Sequence, residues 1–72
     1  MPIAMIKILE GRGPEKTRHL IESVSRAMSE SLDMPIENVR VLVEEMPPHL
    51  WGRGGKTVAD RVEEGSAQLP KQ

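Results

Sequence analysis

The run from Pro2 to Glu10, PIAMIKILE, carries Ile, Met or Leu at most positions, with Lys7 the only charge before Glu10. That suits a β-strand buried on much of both faces. Gly11-Arg12-Gly13-Pro14 then stops it. Two glycines and a proline in four residues make a turn, and Pro14 fits the first turn of a helix, where its missing N–H costs nothing. The chain must therefore leave a two-faced apolar strand and enter a helix within a few residues.

Glu15 to Leu32 reads as that helix. Leu20, Ile21, Val24, Ala27, Met28 and Leu32 recur at three- and four-residue spacing, while Lys16, Arg18, Glu22, Arg26 and Glu30 fall largely on the other side. Glu22–Arg26 and Arg26–Glu30 are i,i+4 pairs that add a few tenths of a kcal/mol each, roughly. Asp33-Met34-Pro35 ends the helix, because the residue before a proline is pushed out of the helical region. After a short turn at Pro35 to Asn38, Val39 to Glu45 predicts a second strand. Val39, Val41 and Val43 share one face and Arg40 and Leu42 the other. The valine face is expected against the helix, so Arg40 points away from it. Pro47-Pro48 stops this strand, and Leu50 to Gly55 is a loop or tight hairpin. Thr57 to Val62 fits a short strand or a helical turn. Glu63 to Gln72 has little apolar content and is expected to fray. The domain is thus expected over 1–64, with a flexible tail at 65–72.

Strand, helix, strand with a right-handed crossover makes the two strands parallel. Two strands are too few for an independent sheet. At 72 residues a single core is marginal, and without a cysteine no disulfide can supplement it. His19 and His49, both expected at the surface, are too few for a zinc site. Pairing with a second copy, giving a four-stranded sheet with two helices, is the remaining way to close the deficit. Ten basic against eleven acidic residues leave no electrostatic footprint for nucleic acid. No apolar run reaches membrane-spanning length, and the N-terminus lacks a signal-peptide pattern. The absence of cysteine fits a cytoplasmic protein.

Pro2 has two readings. With Met1 attached, its nitrogen is a tertiary amide without basicity, and the residue merely starts a strand. With Met1 removed, it is a secondary amine that can act as base or nucleophile. Taken singly, Arg12 is a solvated loop residue, Arg40 a partner for Glu44 or Glu45, and Trp51 an interface or core aromatic.

Taken together, these residues resemble the 4-oxalocrotonate tautomerase family of the tautomerase superfamily. The resemblance is carried by Pro2-Ile3-Ala4, Ile8-Leu9-Glu10-Gly11-Arg12, Ser31-Leu32-Asp33 with Pro35, Val39-Arg40-Val41, Glu45-Met46 and Gly52-Arg53-Gly54-Gly55, in register over roughly residues 2 to 62. It implies an α+β fold: a β-α-β subunit with a short C-terminal hairpin, dimers with a four-stranded sheet, and a hexamer built as a trimer of dimers. It implies an isomerase of aromatic-hydrocarbon catabolism that needs no cofactor or metal. Its substrate would be a dicarboxylate or unsaturated 2-keto acid such as 2-hydroxymuconate. Pro2 matches the general base. Arg12 matches the arginine that engages a carboxylate, and Arg40 the arginine on the 2-keto or 2-hydroxy oxygen. Leu9 and Trp51 complete the expected substrate contacts, and Arg53, if its side chain turns inward, adds a third cation that binds a second carboxylate or favours loss of the Pro2 proton; turned outward, it faces solvent. Sites are shared between subunits in this family, so Pro2, Arg12 and Arg40 are not expected from one chain alone.

The chemistry agrees with these roles. A base must lose its proton near neutral pH, which neighbouring cations and a low-dielectric wall both favour for an amine. Arginine holds carboxylates by paired hydrogen bonds, and a guanidinium aimed at the oxygen that gains charge favours the transition state. The sequence departs from the family pattern at Trp51 for phenylalanine, Arg53 for isoleucine and Asn38 for serine, which affects the substrate first. Two other readings follow. One keeps the fold with a hydratase, dehalogenase or decarboxylase reaction, which needs an added acid or base; no carboxylate is assigned to that role, with Glu10 or Glu45 left open. The other is a non-catalytic oligomeric binding domain, if Met1 is retained.

Overall fold

The computed structural model describes residues 1–65. The chain runs β1 (Ile3–Leu9), α1 (Pro14–Leu32), β2 (Arg40–Met46), a hairpin of β3 (Gly52–Arg53) and β4 (Lys56–Thr57), and α2 (Val58–Glu63). Single 3-10 turns occupy Ile36–Asn38 and Pro48–Leu50. The ambiguous segment after Thr57 is therefore helical. The expected tail falls outside the described residues apart from Gly65.

The main sheet is β1 and β2 in parallel, in register from Ile3 opposite Arg40 to Leu9 opposite Met46. Its ladder extends at both ends, with Arg40 N–H donating to the Pro2 carbonyl at 3.1 Å and Glu10 N–H to the Met46 carbonyl at 3.0 Å. Helix α1 is the crossover. It starts as the sequence indicates, with Gly13 at φ 90° as its N-cap and Pro14 in its first turn. It ends on Asp33 in the left-handed region, at φ 52° and ψ 57°. The Asp33 and Met34 N–H groups donate to the carbonyls of Glu30 and Ser29, satisfying the last turn.

The helix covers one face of the sheet. Ala4, Ile6 and Ile8 of β1 and Val41 and Val43 of β2 are half-buried there, with Leu20, Ile21, Val24 and Met28 of α1. Two residues of the helical stripe, Ala27 and Leu32, are exposed. Nineteen helical residues span roughly 28 Å and seven strand residues roughly 23 Å, so the end of α1 overhangs the sheet.

The other face is open. Ile3 is 59 % exposed, Met5 79 % and Leu42 53 %. The expectation that β1 is covered on both sides is therefore not met, because no element among the described residues crosses that face. Both edges of the two-stranded sheet are open as well. Val39, just before β2, is the only buried apolar residue among the described ones. A single chain thus has a half-built core. Buried apolar area is what offsets the conformational entropy of folding, so this subunit requires a covering surface.

On the open face, Lys7 and Glu44 stand opposite each other in register and pair at 3.1 Å. Glu45 accepts from the Thr17 hydroxyl at 3.3 Å. With those partners in place, Arg40 has neither of the ion pairs that its strand position suggested.

Candidate active site

The residues singled out in the sequence separate into two groups. At the N-terminal end of the sheet, Pro2 and Arg40 are joined by the main-chain bond described above. One nitrogen of the Arg40 guanidinium, Nη1, donates to the Glu37 carbonyl at 2.9 Å and the Val39 carbonyl at 3.4 Å. Anchoring through Nη1 fixes the plane of the group and leaves the donors of Nε and Nη2 to face a ligand. Arg40 is exposed and Pro2 half-buried. Met1 is 76 % exposed, so the bond that masks the Pro2 nitrogen lies at the surface.

The second group sits at the other end of β1. Arg12 is half-buried, and its Nη1 donates to the Leu9 carbonyl at 3.4 Å. Arg12 also lines an open groove of about 780 Å³ between β1 and α1, with Ile8, His19 and Leu20. Trp51 lies at the same end, lining a cleft with Lys7, Met46, Leu50 and Gly52. Met46 is the register partner of Leu9. Seven residues of strand separate the two groups by roughly 23 Å. Within one chain, then, Pro2 and Arg40 cannot share a small molecule with Arg12 and Trp51.

The ion pairs among the described residues are Lys7–Glu44, Glu22–Arg26 and Lys56–Glu64. Arg12, Arg40 and Arg53 belong to none of them. Arg18 on α1 is likewise outside them. Arg40 and Arg53 are exposed and Arg12 is half-buried, so each keeps guanidinium donors available to an anion. His19 and His49 are both exposed. No cluster of three or more metal-ligating side chains occurs among the described residues.

Residues 2–61 match the family described as tautomerase enzyme. The chain belongs to the tautomerase family. A 2-hydroxymuconate tautomerase of Pseudomonas putida is 57 % identical over 56 residues, covering 78 % of this chain and 89 % of that protein. Among solved structures, TomN, a 4-oxalocrotonate tautomerase homologue in the tomaymycin biosynthetic pathway, superposes with a TM-score of 0.83 at 44 % identity. It covers 86 % of this chain and 95 % of its own. A heterohexamer 4-oxalocrotonate tautomerase from Chloroflexus aurantiacus gives a TM-score of 0.80 at 35 % identity, covering 83 % of this chain and 97 % of its own. The β-α-β core with its C-terminal hairpin is therefore the tautomerase fold. No helix among the described residues is long and apolar enough to cross a membrane.

One residue of this tautomerase was missed in the sequence. Arg61, half-buried on α2, donates from Nη2 to the Arg53 carbonyl at 3.1 Å and so ties the hairpin to the helix. The usable signal was the pair Thr57 and Asp60. The Thr57 side chain accepts from the Asp60 N–H at 3.1 Å, which caps α2 and fixes which residues of that helix meet the hairpin.

Proposed function

We propose that the chain is a cofactor-independent isomerase that ketonises 2-hydroxymuconate or a closely similar unsaturated 2-keto acid, with the Pro2 amine as general base. The observation that carries this reading is the placement of Pro2 beside Arg40 at one end of the strands and of Leu9, Arg12 and Trp51 at the other. A site that uses both groups must be assembled from different copies of the chain. The open sheet face and unpaired edges supply the surfaces for that assembly, and a hexamer built as a trimer of dimers is the proposed form. The 2-hydroxymuconate tautomerase named above supports the substrate class.

In this reading, removal of Met1 exposes the secondary amine of Pro2. The amine accepts a proton from the substrate and becomes the ammonium, then returns a proton to another carbon of the conjugated chain. One proton is taken and one given back, so nothing is oxidised or reduced. Arg40, held by Nη1, presents its remaining donors to the 2-hydroxy or 2-keto oxygen, where negative charge grows during transfer. Stabilisation aimed at developing charge acts on the transition state more than on the ground state. Arg12 of a neighbouring copy holds the carboxylate at the far end of the molecule, with Leu9 and Trp51 as an apolar wall. The role is cytoplasmic, in the breakdown of aromatic compounds.

The test is an ultraviolet assay of dienol ketonisation with protein whose mass shows loss of Met1. Pro2→Ala is expected to lower turnover strongly. Full activity in protein that retains Met1 would rule out the amine as base.

A further inference from the structure

We infer that Arg53 is a specificity-determining residue of this site: with Arg12 it grips the far carboxylate of the substrate and selects dicarboxylates over monocarboxylates. The inference rests on the tautomerase reading for the location of the site, and on the following geometry for the role.

Trp51 has extended backbone, at φ −110° and ψ 109°, and leads directly into β3. On extended backbone, side chains two residues apart leave the same side. Arg53 therefore projects on the same side as Trp51, whose ring lines the cleft at the Leu9–Met46 end of the sheet. Arg12 emerges at that same end and is anchored to Leu9. Arg12 and Arg53 thus both emerge at the Leu9–Met46 end of the sheet, Arg12 at the groove beside Ile8 and Arg53 next to the Trp51 cleft beside Lys7.

The hairpin that carries Arg53 is held firmly. Gly52 pairs with Thr57 and Arg53 with Lys56. The Val58 N–H donates to the Trp51 carbonyl at 2.8 Å, continuing the ladder into α2. Arg61 donates to the Arg53 carbonyl, and Lys56 reaches both carboxylate oxygens of Glu64 at 2.6 and 2.9 Å. These bonds fix the Arg53 backbone and leave its guanidinium outside every ion pair among the described residues. A fixed mount with an uncommitted cation loses little freedom when an anion arrives. The neighbouring Lys56 has its carboxylate supplied by Glu64, whereas no acidic residue among the described ones pairs with Arg53. Arg61 is accordingly a positioning residue, acting on the substrate through Arg53.

Titration calorimetry with adipate and hexanoate tests this without relying on turnover. The assembled, Met1-processed protein is expected to bind adipate at least tenfold more tightly than hexanoate, since a charge-assisted bond is worth about that factor or more. Arg53→Met should reduce this ratio by at least fivefold, and Arg53→Lys should retain most of it. Arg61→Ala should reduce it in the same direction, with partial rescue by Arg61→Lys. Equal affinity for the two acids in the wild type, or an unchanged ratio in Arg53→Met, overturns the proposal. A lower melting temperature in Arg61→Ala with an unchanged ratio overturns the positioning role. A preserved preference for adipate in a protein that ketonises no dienol supports this inference while refuting the tautomerase reading of the substrate.

Discussion

Leu42→Asp should dissolve the assembly. Leu42 stands on the sheet face that α1 does not cover and is 53 % exposed in the single chain, beside Ile3 at 59 % and Met5 at 79 %. Burying a whole side chain of this kind contributes about 2 kcal/mol. Scaled by those exposures, covering the three contributes roughly 4 kcal/mol per subunit. Replacing Leu42 by aspartate removes about 1 kcal/mol of that. It also places a carboxylate in the covered face, at a cost of several kcal/mol. A loss of at least about 3 kcal/mol weakens association more than a hundredfold. Sedimentation velocity over a concentration series reads this directly. The wild type is expected to remain one assembled species, and Leu42→Asp to dissociate at micromolar concentration. Lys7 and Glu44 on the same face already pair with each other, so the new carboxylate finds no free lysine there. An assembly as tight as the wild type in Leu42→Asp would refute the claim that this face is covered by another copy.

Arg40→Ala should lower kcat/KM for 2-hydroxymuconate by about a hundredfold or more, as loss of an oxyanion-stabilising donor does. Size-exclusion chromatography should show the assembly retained, because the Arg40 side chain bonds only to carbonyls of its own loop. Asp33→Gly should raise the melting temperature, since Asp33 holds φ 52° and a left-handed non-glycine residue costs roughly 1 kcal/mol. A lowered melting temperature would show that the Asp33 side chain contributes more than its backbone strain costs. Val39→Ala removes part of the one buried apolar side chain and should destabilise by about 2 kcal/mol in urea unfolding. An effect below about 0.5 kcal/mol would place the core elsewhere.

The sequence was most informative where a local rule acted alone. The apolar run of β1, the Gly13-Pro14 entry to α1 and the alternation of Val39, Val41 and Val43 against Arg40 and Leu42 each rest on one backbone preference, and each appears in the fold. Even the distance between Pro2 and Arg12 was readable, because a strand of that length separates its ends. The segment after Thr57 was not, since Val58, Ala59 and Val62 suit either a strand or a helix. The cap bond from Asp60 to Thr57 decides it, and that bond depends on hairpin geometry. The left-handed turn at Asp33 was hidden by the proline that follows, which already explained the helix end. Arg61 could not be singled out, because its role arises from a contact between the hairpin and α2. Covering of the open face was inferable from size and composition, whereas the arrangement of copies around it requires the assembly itself.

Mixing two inactive variants tests the central claim, a site shared between copies and driven by the Pro2 amine. Pro2→Ala and Arg12→Ala subunits, co-expressed in equal amounts and processed at Met1, should form mixed assemblies in which some sites join an intact Pro2 to an intact Arg12. With random assembly that is about a quarter of the sites, because each site draws its two groups from different copies. Ultraviolet assay of 2-hydroxymuconate ketonisation should then show activity well above either variant alone. Mixed assemblies confirmed by mass spectrometry, with activity no higher than the parent variants, would contradict the account.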